Sequence, residues 1–95
     1  MIETVYVTIN LKATGSRIKE LRQSNNIKVS QMAEMLGSSE NAIFKWQRGE
    51  CLPSLDNLVV LSYIFNTPID DIIQREGPDE GLFPINAIIF LSFFI

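Results

Sequence analysis

The chain has 95 residues, enough for one compact domain and too few for a second core. Hydrophobic residues make up 46% and charged residues 20%, which excludes a compositionally disordered chain. With no histidine and one cysteine, Cys51, the chain cannot build a disulfide framework, a structural zinc site, a Ser-His-Asp triad or a Cys-His dyad. No catalytic, cofactor or metal site is expected.

The net charge of −3 hides an asymmetry. Residues 12–48 hold seven basic groups against three acidic ones, a local +4, and the remainder carries −7. Such a chain can dock on a polyanion through one face and repel it elsewhere. The plainer alternative is a set of solvated helix faces. The first residues lack a basic stretch followed by an apolar one, so no secretory signal is read and the cytoplasm is the expected location.

In chain order, residues 1–11 alternate. Val5, Val7, Ile9 and Leu11 fall on one face and Tyr6, Thr8 and Asn10 on the other, the period of a β-strand. A lone strand needs a partner. Residues 3–11 are expected to pair with their counterpart in a second copy, or with a tail strand at Ile85–Phe94.

From residue 12 to 75 the pattern changes to five short helices. The first is predicted from Thr14, as N-cap, to about Asn25, with Ile18 and Leu21 inward. Asn25-Asn26 tolerates the left-handed backbone that ends a helix. The second covers Val29–Leu36, with Met32, Ala33 and Leu36 apolar. Gly37-Ser38-Ser39 interrupts it, and Ser39 caps a third helix at Glu40–Gln47, where Glu40 suits the positive end of the dipole. After the loop Arg48–Pro53, Ser54 caps a fourth helix at Leu55–Phe65 with Leu55, Leu58, Leu61 and Ile64 as its inner stripe. Thr67-Pro68 opens the fifth, with Thr67 as cap and Ile69, Ile72 and Ile73 apolar.

Residues 76–81 read as a linker. Beyond them lies an apolar C-terminal tail, residues 82–95, in which eleven of fourteen residues are apolar, including four of the six Phe. It is short of the roughly 20 apolar residues of a membrane span, and Pro84, Asn86 and Ser92 interrupt it. No membrane insertion is expected. The tail is read as a packing or dimer element, or as the surface for a protein partner.

Function concentrates at the junction of the second and third helices. Two helices joined by a short turn need a small residue where they approach, here Ala33, and a residue accepting positive φ in the turn, here Gly37. Ile43 and Trp46, three apart, form the inner face of the third helix. The segments Gly15–Arg22, Met32–Gly37 and Ala42–Gly49, followed by Leu52-Pro53-Ser54, Leu58-x-x-Leu61 and Pro68–Ile73, together resemble the lambda-repressor-like, Xre-type helix-turn-helix family.

That resemblance implies an all-α, five-helix domain, to which the alternation of the first eleven residues adds a short N-terminal β-strand, and a sequence-specific transcriptional regulator that binds double-stranded DNA as a homodimer. It places the third helix in the major groove with the second across the backbone. Carried over by position, Glu40, Asn41, Phe44 and Lys45 face the bases. Asn41 matches adenine and Lys45 guanine, Glu40 could accept from cytosine, and Phe44 could cover a thymine methyl. Phosphate contacts fall to Lys28, Ser39, Arg48 and Arg17, with Lys12 an outlier. Five of these have a plainer reading: exposed polarity for Asn41 and Lys45, dipole compensation for Glu40, a core or protein-binding role for Phe44, carbonyl capping for Arg48.

The chain departs from the family where relatives carry a Ser or Thr cap and a Gln at the start of the second helix; it has Lys28 and Val29. An apolar residue after the turn glycine is replaced by Ser38. The alternative function is therefore a protein-interaction module with weak or no DNA binding, such as an antitoxin component.

Overall fold

The computed structural model describes residues 7–77. Two strands, β1 (Thr8–Ile9) and β2 (Arg75–Glu76), enclose five helices: α1 (Leu11–Ser24), α2 (Val29–Leu36), α3 (Glu40–Gln47), α4 (Leu55–Phe65) and α5 (Ile69–Ile72). The bounds of α2, α3 and α4 agree with those read from the sequence. Ser39 Oγ accepts from the Ala42 N–H at 3.1 Å, and Ser54 Oγ from the Asn57 N–H at 3.2 Å. Each satisfies a donor the helix start leaves open. At the other ends, Asn26, Gly37 and Asn66 adopt φ of 56°, 63° and 49°. These are left-handed positions that Asn and Gly accept at least cost.

Three expectations are corrected. Helix α1 starts a turn early, because Asn10 Oδ1 accepts from the Ala13 N–H at 2.9 Å and so acts as the cap assigned to Thr14. Thr14 is instead fully buried, its Oγ1 accepting from the Gln74 N–H at 2.9 Å. Thr67 does not cap α5: its hydroxyl donates to the Phe65 carbonyl at 2.9 Å, and Pro68 occupies the cap position. In α4 the buried residues are Leu58, Leu61 and Phe65, with Ile64 partly buried against the same core as expected, whereas Leu55 points outward, 71% exposed.

The strand also finds a different partner. Thr8 pairs with Glu76 and Ile9 with Arg75, antiparallel and within one chain. Neither a second copy nor the tail is needed for that pairing. Asn10 N–H extends the clasp by donating to the Gln74 carbonyl at 2.7 Å. Residues 1–6, the end of the linker and the tail at 82–95 lie outside the described residues, as does the expected pairing at Ile85–Phe94.

The core is one cluster: Ile18 and Leu21 of α1, Met32 and Ala33 of α2, Ile43 and Trp46 of α3, Leu58, Leu61 and Phe65 of α4, and Ile72 of α5. Burying a large aliphatic or aromatic side chain stabilises by roughly 1.5–3 kcal/mol, so these contacts hold the helices together. Helix α1 packs most extensively on α3, and α2 on α3. Gly15 permits the first contact, since a Cβ there would lie 2.2 Å from the Trp46 carbonyl oxygen. Among the described residues, no helix is long and apolar enough to cross a membrane.

Candidate nucleic-acid interface

Helix α3 is anchored on one side and open on the other. Ile43 is fully buried and Trp46 nearly so, which fixes the rotation of the helix about its axis. At 100° per residue, that rotation turns the intervening positions outward. Glu40, Asn41, Phe44 and Lys45 are all exposed, and Phe44 is 41% open to solvent. Trp46 is therefore a core residue, as its spacing implied, and Phe44 does not join the core.

The three residues Gly37-Ser38-Ser39 connect α2 to α3. Gly37 N–H donates to the Glu34 carbonyl at 3.2 Å and Ser38 N–H to Ala33 at 2.9 Å, closing α2 tightly enough for α3 to leave at once. Lys28 occupies the cap position of α2. Its ammonium cannot accept a hydrogen bond. Gln31 Oε1 supplies the interaction instead, accepting from the Lys28 N–H at 2.9 Å and leaving the Lys28 side chain exposed. Val29, where relatives carry Gln, packs partly buried against the core.

The remaining basic candidates differ in how they are held. Arg48 caps the end of α3 through its backbone, while its exposed guanidinium pairs with Glu50. Arg17 donates from Nε to the Asp71 carbonyl at 3.0 Å and from Nη1 to Glu20 Oε1 at 3.0 Å, tying α1 to α5. Lys28, Ser39, Lys45 and Arg48 thus sit at the ends or on the open face of the α2–α3 unit, and Arg17 is engaged elsewhere.

One positioning contact has no local signature in the sequence. Arg22 donates from Nε to Gln47 Oε1 at 2.8 Å and from Nη1 to the Ile27 carbonyl at 2.9 Å. It joins α1, the last turn of α3 and the entry to α2. The two side chains are 25 positions apart, and only the charge of Arg22 marked it beforehand. Removing the acceptor from a part-buried guanidinium should cost about 2 kcal/mol. Gln47→Ala is expected to lower the urea midpoint accordingly, while Gln47→Glu retains or raises it; equal midpoints for all three would exclude the contact. Among the described residues, no cluster of His, Cys, Asp and Glu is placed to hold a metal ion.

A small residue at the α2 crossing, a left-handed glycine in a three-residue turn and an anchored third helix with an open face define a helix-turn-helix domain. The helix-turn-helix family profile matches residues 18–72, and the chain belongs to that family. Two relatives place it further. The chain is 33% identical over 62 residues to the HTH-type transcriptional activator BcrR of Enterococcus faecalis, covering 65% of this chain and 30% of that protein. It is 35% identical over 68 residues to repressor protein C2 of Salmonella phage P22, covering 72% of this chain and 32% of the relative. It therefore spans about a third of either. The crystal structure of the P22 c2 repressor in complex with a synthetic operator superposes with a TM-score of 0.61 at 31% identity, over 64% of this chain and 92% of that one.

Proposed function

We propose that this chain is a sequence-specific DNA-binding regulator of transcription that inserts α3 into the major groove of double-stranded DNA. The observation that carries the reading is the open face of α3, where Asn41 and Lys45 lie four residues apart, both exposed, beside a Ser39-capped helix start. Residues at i and i+4 share one helix face, so both can reach adjacent base edges. Asn41 pairs with adenine N6 and N7, and Lys45 donates to guanine O6 and N7. Phe44 covers a thymine methyl, and Glu40 accepts from a cytosine amino group. Lys28, Arg48 and the Ser39 hydroxyl contact phosphates; Arg17 does so by exchanging its Glu20 partner.

Two copies bind as a homodimer on half-sites about one helical turn apart, because one domain of this size neutralises few phosphates. Control then follows from occupancy of the operator on cytoplasmic DNA, without chemistry. The P22 repressor crystallised with its operator supports this reading, as do the regulator names of both relatives.

The test is binding to random duplex DNA at two salt concentrations. If each copy neutralises about three phosphates, the pair should lose on the order of 10³ in affinity between about 50 and 200 mM salt. The rival reading, a protein-interaction module, draws on the exposure of Phe44 (41%) and Met35 (54%). It predicts no DNA binding even at the lower salt.

A further inference from the structure

Helix α4 has a second apolar face that the core does not use. Away from Leu58, Leu61 and Phe65, the residues Leu55, Val59 and Tyr63 recur at every fourth position and are 71%, 55% and 88% exposed. A row at i, i+4 and i+8 forms one continuous stripe about 12 Å long. Single exposed apolar residues are ordinary, but an unbroken row marks a surface that something covers. Asp56 is the one charged residue of α4, so charge does little to discourage burial of this face.

The same chain supplies a segment of matching chemistry. Residues 82–95 carry no charged side chain, and eleven of the fourteen are apolar. The described chain passes from α5, which packs on α4, through β2 to Gly77. Residues 78–81 add a reach of up to about 17 Å from there, comparable to the stripe itself. We infer that residues 82–95 lie across the Leu55–Val59–Tyr63 stripe of their own chain. Docking in this way covers the exposed stripe with an uncharged, apolar segment. A short tether also gives the segment an effective concentration of roughly millimolar, above that at which a second copy would normally compete for the same face.

The experiment uses the full chain with Cys51→Ser, which removes an exposed thiol, and Ser92→Cys carrying a nitroxide spin label. Methyl signals of Leu55 and Val59 should lose most of their intensity, with the loss fading toward α2. They should stay sharp when isotope-labelled, spin-free chains are mixed with spin-labelled chains of natural isotope content. Adding Val59→Glu, a change at an exposed position, should restore the Leu55 signals. Intact Leu55 and Val59 signals in the spin-labelled chain would overturn the inference. So would broadening in the mixed sample, which would make a second copy the occupant. Flotation of the unlabelled chain with phosphatidylcholine–phosphatidylglycerol vesicles would overturn it in favour of a lipid surface.

Discussion

Gly15→Ala is expected to destabilise the protein by about 3 kcal/mol, lowering Tm by roughly 12–24 °C for a domain of this size. In an ordinary helix the change would help, since alanine is favoured over glycine by up to about 1 kcal/mol. Here the added carbon would sit 2.2 Å from the Trp46 carbonyl oxygen and 2.7 Å from that of Gln47. Both are backbone atoms at the end of a helix whose Trp46 side chain is buried and whose Gln47 is tied to Arg22. Neither can swing aside as a flexible side chain would. Helices α1 and α3 must therefore separate, loosening Ile18 from Ile43. Thermal unfolding followed by circular dichroism and by Trp46 fluorescence measures the loss. A variant as stable as the parent would mean that the two helices do not meet at this point.

The second large effect is on base discrimination. Asn41→Ala and Lys45→Ala should each cost about 1–3 kcal/mol of preference for the selected operator over random duplex, roughly 5- to 150-fold. Both side chains are exposed, so folding should be unaffected. Arg48→Ala should weaken all sequences alike and reduce the salt slope by about one, as loss of a phosphate contact requires. Glu50→Gln should act in the opposite direction, because it releases Arg48 from its carboxylate partner. A selected pool of bound fragments supplies the operator, and competition titrations give the ratios. If Lys45→Ala and Arg48→Ala behaved identically on preferred and random DNA, the division between base and phosphate contacts would be wrong.

Much of the candidate interface is legible in the sequence itself. The Ser39 cap, the Gly37 turn and the inward pair Ile43 and Trp46 act within one or two helical turns, where local sterics and hydrogen bonding dominate. Those same residues set which side chains of α3 remain outside, so the exposure of Asn41 and Lys45 followed. Phe44 stayed ambiguous until its neighbours were placed, because an aromatic side chain suits a core as well as a surface.

At two places in the domain, local signals compete. The alternation through Leu11 favoured a longer strand, yet Asn10 is the better-placed cap and its bond to Ala13 starts α1 inside that stretch. Leu55 matched the inner stripe of α4 by spacing, but the helix is apolar on two sides, and periodicity cannot say which side meets the core.

From residue order alone come the five-helix pattern, the tight turn and the outward face of α3, since each depends on groups a few positions apart. Tertiary packing settled the rest: the closure of β1 on β2, Thr14 on Gln74, Gly15 against the end of α3, and Arg22 on Gln47. These contacts join residues tens of positions apart. No short-range propensity encodes such a pair, and it exists only once the buried cluster has brought the helices together.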